Sequence, residues 1–495
     1  MSLEPPEKLR SLQGKLYDKA KAEPDYRFYL LYDKLYRADI LAHAYALARH
    51  NDGAPGVDGQ TFDRIEAAGV ADWLAGVAEA LRTKRYRAEP VRRVMIPKPG
   101  GGERPLGIPT IRDRVVQTAA KLVLEPIFEA DLEPTAYGYR PDRSANDAVA
   151  AVHKRLLEGY TAVVDADLSK YFDSIPHAAL MKSVARRISD RDVLHLIKMW
   201  LTVPVEESDA GGGKRLTGGK SNRMGTPQGG VISPLLANLY FNRVLKHWRI
   251  SGCGEAFGAH IVNYADDFVI LSRGKAVEAL AWTRQTMSRI GLTLNEAKTT
   301  LKDARSERFD FLGYSFGPHL HRLSARGYLG ASPSAKSLAR IKSKVSAVLA
   351  RGNKAPWPTV TEQLNRLLRG WQGYFRYGSC ALAYRAVNRH VVDRTRAFLV
   401  DRHRLNSHGT RPYRFETVFG ELGIHALRTQ PAAAPGDLSR SPSVSRMREI
   451  RTSGSMSGDG ERSGASHHDR ARPRLSPLRA GESHLSKLLL RRLRK

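Results

Sequence analysis

The chain has 495 residues, 42% of them hydrophobic, and its 80 Lys and Arg against 50 Asp and Glu give a formal charge of +30. That length buries one large core or several, and that charge draws polyanions, nucleic acid first among them. Two cysteines, Cys253 and Cys380, exclude a disulfide framework and a Cys-rich zinc cluster. No apolar run approaches the ~20 residues that cross a bilayer and the N-terminus lacks an apolar signal core, so the expected setting is cytoplasmic, without a membrane.

In chain order, residues 1–50 alternate charged and apolar positions at helical spacing, with Phe28, Leu31 and Leu35 on one face, and predict an amphipathic helical extension. Asn51 to Gly59 is a loop by composition, and a helical stretch follows to about residue 87. Val91 to Ile96 predicts a strand that feeds the Gly-rich turn beginning at Pro97. From Pro105 the chain offers a helix start, with Thr110 as cap and Asp113 three residues on. Ser233-Pro234 predicts another. Between about 160 and 330, the runs Thr161–Leu168, His260–Tyr264, Phe268–Leu271 and Phe309–Tyr314 alternate with helical stretches, the pattern of an α+β or α/β domain. Three helical patterns run from 334 to about 405, broken near 352–358 and at 378. In the middle one Val360, Leu364, Leu367, Leu368, Trp371 and Phe375 form the stripe of a helical bundle. Beyond 430 the aromatic-free, Ser-, Pro- and Arg-rich tail is expected to be disordered.

The strongest local signal is Tyr264-Ala265-Asp266-Asp267 between two apolar β runs. Two carboxylates at a hairpin tip repel one another, and a divalent cation relieves that repulsion. A bare Asp-Asp also marks a plain turn. The second acidic strand end, Asp165-Ala-Asp167 followed by Leu168, Phe172 and Asp173, argues for the metal, because a buried strand rarely ends in unpaired charge. Neighbouring strands would bring Asp167, Asp266 and Asp267 around two Mg²⁺ ions ~3.5–4 Å apart, the arrangement of in-line phosphoryl transfer.

These residues resemble the reverse transcriptase family, whose Y-x-D-D box matches Tyr264 to Asp267 and whose first acidic block matches Asp167 to Asp173. Further segments match in the same order. Ile96 to Gln117 is similar to a fingers segment, Gly225 to Tyr240 to the P-Q-G block, Gly291 to Thr299 to a later block with Lys298, and Phe311 to Phe316 to the primer grip. Asn51 to Gly59 and Leu367 to Tyr377 resemble the N-terminal block and thumb motif of group II intron-encoded reverse transcriptase/maturases.

The resemblance implies a right-hand polymerase fold of α+β class: an N-terminal helical extension (1–50), fingers (51–160), palm with fingers segments partly interleaved (161–330), an all-α thumb or maturase bundle (331–430), and a disordered basic tail (431–495). It implies catalysis by Asp167, Asp266, Asp267 and Lys298, with the Leu168 carbonyl as an added Mg²⁺ ligand. Asp165 and Asp173 are expected to cap or pair locally. Lys98, Arg104, Leu168, Phe172 and Gln228 would meet the nucleotide; for Phe172 a place in the core is the alternative. Arg112, Arg114, Arg385 and Arg389 would meet RNA. Partners are RNA template, parent intron RNA, DNA primer or target and dNTPs, in a ribonucleoprotein. Two alternatives remain open, an RNA-binding splicing factor without polymerase activity and a reverse transcriptase of a retron, diversity-generating or defence-associated branch. Many intron-encoded relatives end in a Cys- and His-rich endonuclease domain; this chain has neither the cysteines nor the length for one, so DNA nicking is not expected.

Overall fold

In the computed structural model, which describes residues 3–97, 102–208, 213–320, 326–404 and 412–429, the apolar runs Ala162–Asp167 and Asp267–Ser272 become the inner strands of a sheet. The strands are β1 (Val91–Pro97), β2 (Glu103–Ile108), β3 (Ala162–Asp167), β4 (Pro204–Ser208), β5 (Lys214–Gly218), β6 (Ala259–Tyr264), β7 (Asp267–Ser272), β8 (Thr300–Asp303), β9 (Phe309–Phe311), β10 (Tyr314–Leu320) and β11 (Gly327–Pro333). They form three sheets, ordered β2-β1-β4-β5, β11-β10-β9 and β6-β7-β3-β8. The third is antiparallel throughout and sets β3 directly beside β7.

Alternation along these strands sorts side chains to two cores. Val164, Ala166, Ile261, Phe268 and Ile270 join the larger core, together with Ala279 and Leu280 of the helix Ala276–Arg289. Val163, Val262, Val269 and Leu271 join a second core with Ala148, Val149 and Val152 of the helix Ala145–Leu157. Asp165 and Asp167 share the strand face of Val163, and Asp267 that of Val269 and Leu271, so the three acids face one side of the sheet.

Several expectations change. The N-terminal region is helical over Glu7–Ala22 and Ala38–Asn51, but Phe28 and Leu31 lie between helices rather than on one. They are buried because extended chain docks there: Phe28 N–H donates to the Arg187 carbonyl, and Leu31 N–H to the Asp190 carboxylate. The residues after Pro105 first complete β2, paired Ile96 to Arg104, before the helix Ile111–Glu129 begins at the expected Thr110 cap, whose side chain accepts from Asp113 N–H at 3.1 Å. Phe309–Tyr314 divides into β9 and β10 because Leu312 and Gly313 turn with φ +49° and +78°, the left-handed pair of a two-residue hairpin. Ser233 opens the helix Ser233–Ile250 but donates to the Pro227 carbonyl at 2.8 Å instead of capping. A further hairpin, β4–β5, extends the first sheet.

The three late helices occur as expected, over Ala335–Val348, Trp357–Tyr374 and Ala381–His403. The chain divides into two compact units, one of Met1–Lys342, Gly370–Val387 and Leu427–Thr429, the other including Ser343–Arg369 and Asn388–Ala426. The apolar stripe of the middle helix is split between them. Val360, Leu364 and Leu368 are buried in the second unit, where Trp357 Nε1 donates to the Leu422 carbonyl. Trp371 and Phe375 serve the first unit, their rings 4.8 Å apart and Phe375 5.0 Å from Tyr314 of β10. They pack as core aromatics, Phe375 against the sheet and Trp371 also 5.9 Å from Tyr384 of the third late helix. Among the described residues no helix is long and apolar enough to cross a membrane. The tail beyond 430 lies outside the described residues.

Candidate active site

Asp167, the last residue of β3, stands directly opposite Asp267, the first of β7. Opposed positions on one face hold their Cβ atoms ~4.5–5.5 Å apart, within reach of shared ions. Asp266 occupies the two-residue turn before Asp267 and follows Ala265, whose φ of +58° is left-handed at a non-glycine position. The turn is braced to hold that strain. The Asn263 side chain donates to the Ala265 carbonyl at 2.8 Å, and the Asn263 main chain bonds to Thr135 and Tyr137. Gly138 lies flat against the turn: a Cβ there would sit 2.5 Å from the Ala265 nitrogen.

Asp167 is engaged from the segment after the helix Ala276–Arg289. Its Oδ2 accepts from Asn295 Nδ2 and from Lys298 Nζ, each at 3.1 Å, while its carbonyl accepts from Asn295 N–H. Lys298 is thus paired with Asp167. Leu168 stands opposite Leu294, flanked by main-chain bonds from Asn295 to Asp167 and from Ser169 to Thr293. In an antiparallel ladder that alternation turns the Leu168 carbonyl to the other edge, toward the Asp266 turn.

Negative charge is only partly compensated here, by Lys298 on Asp167. Asp267 reaches solvent, yet crowding by the surrounding protein, then Asp266, Asp167 and Asp165, pushes its pKa up to about 7 against the weaker pull of Lys298. Asp165 rises to about 6, mainly through burial. A donor set of carboxylates and one carbonyl suits a hard, oxygen-seeking cation. Among the described residues no three acid, His or Cys side chains already close on one point.

Beside the acids lies a second constellation. Arg104 of β2 donates from Nε to Gln228 Oε1 at 2.9 Å, and Gln228 Nε2 donates to both oxygens of Asp173 at 3.0 Å. Asp173 is thus paired with Gln228. Phe172 is 8% exposed and packs in the larger core with Tyr171. Lys98 lies outside the described residues.

The four arginines assigned to RNA differ. Arg114 is buried and donates to the carbonyls of Pro109, Gly53 and Ala54, so it fastens the loop after Asn51 and is corrected to a structural role. Arg112 is half-buried, bonded to Glu89 and the Arg87 carbonyl. Arg385 and Arg389 are exposed on the helix Ala381–His403, whereas Arg394 and Arg396, also basic in that helix, donate to the carbonyls of Leu349 and Tyr413.

Sequence reasoning missed Asn263, Asn295, Gly138 and Tyr139. Tyr139 has φ +54°, is 48% exposed and sits 6.4 Å from the Tyr264 ring, near enough to Asp266 and Arg104 to feel both charges. No residue-type pattern announces its left-handed backbone.

Residues 96–316 match the family model described as reverse transcriptase (RNA-dependent DNA polymerase), and residues 338–414 match the group II intron, maturase-specific domain. Protein YkfC of Escherichia coli is 34% identical, covering 62% of this chain and 87% of that protein. The group II intron-encoded protein LtrA of Lactococcus lactis is 33% identical over 44% of this chain and 35% of its own length. The putative COX1/OXI3 intron 1 protein of Saccharomyces cerevisiae is 26% identical over 56% of this chain and 38% of its own length. Against those two intron-encoded relatives, the chain thus spans little more than a third of their length.

Proposed function

Since the chain belongs to the family of group II intron-encoded reverse transcriptases and maturases, we propose that it is an RNA-directed DNA polymerase that also binds its parent intron RNA in a ribonucleoprotein. The observation that carries this reading is the register of β3 against β7, which opposes Asp167 and Asp267 with Asp266 in the adjoining turn.

Asp167, Asp266, Asp267 and the Leu168 carbonyl would hold two Mg²⁺ ions, which when bound lower the pKa of a primer 3′-hydroxyl and offset charge on the triphosphate and leaving pyrophosphate. The remaining steps fall to the chain itself. Lys298, paired with Asp167 through Nζ, would protonate pyrophosphate as it departs. Arg104 and Lys98 would clamp the triphosphate, and Gln228 would meet the nucleotide. Phe172 would limit the space beside the sugar from its place in the core wall. Arg385 and Arg389 offer exposed cations to an RNA backbone. Within this reading the fingers are residues 51–160, the palm 161–330 and the thumb 331–430. Intron splicing would remain RNA chemistry, assisted because a ligand that prefers the folded RNA stabilises it.

Primer extension on an RNA template with Mg²⁺ tests the reading. Wild type is expected to incorporate dNTPs, and Asp266→Asn to lose at least ~10³-fold in rate while keeping RNA affinity, as for loss of a group needed at the reacting centre. Equal extension by both proteins would end the polymerase assignment; RNA binding without extension by either would leave a pure splicing factor.

A further inference from the structure

Gln228 is an amide held at both ends. A carboxylate accepts but cannot donate at neutral pH, so Asp173, taking both its oxygens to Gln228 Nε2, dictates which end of the amide is nitrogen. The carbonyl end must then face Arg104, whose Nε donates to it. Arg104, a donor only, demands the same polarity, and the flipped amide would set one N–H against another.

The three side chains come from three backbone segments that are themselves tied together. Thr226 N–H donates to the Phe172 carbonyl at 2.7 Å and Gly225 N–H to Ile175 at 2.8 Å, which fastens the loop of Gln228 to the segment of Asp173. On its other side Gly107 N–H donates to the Gln228 carbonyl at 2.6 Å, which fastens the same loop to β2 and Arg104. The approach is close enough that Gly229, at φ +109°, has no room for a side chain: a Cβ would sit 2.4 Å from the Gly107 carbonyl oxygen. Fixing Nε leaves the two terminal nitrogens of Arg104 without partners among the described residues, and those two form the planar fork that matches phosphate.

Resting on the polymerase reading, we propose that Asp173 is a positioning residue for nucleotide capture: it anchors the Gln228 amide with its carbonyl toward Arg104 and thereby aims the Arg104 guanidinium at the incoming triphosphate. It touches no reacting atom and binds no metal. Its effect belongs to nucleotide affinity, not to the chemical step.

Asp173→Asn keeps the shape and packing but replaces a charged acceptor with two oxygens by a neutral amide with one, so it is the informative variant. Full-length wild type, Asp173→Asn, Arg104→Ala and the double variant are compared in single-nucleotide extension at saturating Mg²⁺, with KM for the dNTP and kcat read separately. A chain-terminated primer–template shifted by added dNTP reads capture without chemistry, and thermal melting reads folding. Loss of a charge-assisted hydrogen bond is expected to raise KM about tenfold in Asp173→Asn, with kcat within about threefold, melting unchanged, and little further rise when combined with Arg104→Ala. An unchanged KM, losses that multiply in the double variant, or a fall in kcat together with melting temperature would each overturn the relay while leaving the polymerase reading in place. A wild-type protein that neither extends nor captures dNTP would remove both.

Discussion

Asp167 and Asp267 are placed by main-chain hydrogen bonds between neighbouring strands, whereas Arg104 is placed by a run of side-chain bonds through Gln228 to Asp173. A ladder is cooperative and buried on both faces, so its ends can carry carboxylates that repel one another without giving way. A side-chain relay is exposed and breaks one bond at a time. The division would suit the two proposed tasks, since metal ligands must hold still against like charge while a nucleotide clamp must engage and release on every cycle.

Breaking the rigid half should cost most. Gly138→Ala would press a methyl group into the Ala265 nitrogen and shift the acid turn, and a displacement of that order is expected to lower extension about 10²-fold with RNA affinity kept. Extension within twofold of wild type would mean that the turn is not braced from Gly138.

The charge on the same turn sharpens the comparison through stability. With its pKa raised from 3.8 to about 7, Asp267 binds a proton in the folded protein that the unfolded chain has already lost, so this group's contribution to stability falls as pH rises from about 4 to 7. Asp267→Asn should therefore melt a few degrees above wild type at pH 8 without Mg²⁺, and by less at pH 4. Melting curves that coincide at pH 8 would show that the acids are not under strain. The same substitution is expected to abolish extension, the exchange of stability for activity that strained sites display.

The smallest effects are expected at the arginines. Arg385→Ala with Arg389→Ala should weaken RNA binding severalfold and reduce the slope of log affinity against log salt by about one per residue. Arg112→Ala should leave the slope unchanged, because that side chain is bonded to Glu89. A reduced slope for Arg112→Ala would place it on the RNA after all.

Much of this was legible in the residues. The strands that carry the acids could be read from β-branched runs bounded by turn residues, and the Thr110 cap from the spacing to Asp113. The N-terminal packing was not legible, because Phe28 and Leu31 are apolar at helical spacing yet are buried by an extended segment docked on Arg187 and Asp190, more than 150 positions away. Nor could the split of the Val360–Phe375 stripe be read, since periodicity reports which face is apolar but not what covers it.

By itself the sequence determined which residues could do the chemistry: the acids, their order along the chain, the basic excess and the local elements that carry them. Only tertiary structure decided the partners. Asn295 reaches Asp167 across 128 positions and Gln228 reaches Asp173 across 55. A hydrogen bond depends on distance and direction in space, and residue type fixes only the capacity to make one. The same physics withdrew Arg114 from the nucleic-acid surface: its charge was visible in the sequence, its three backbone carbonyls were not.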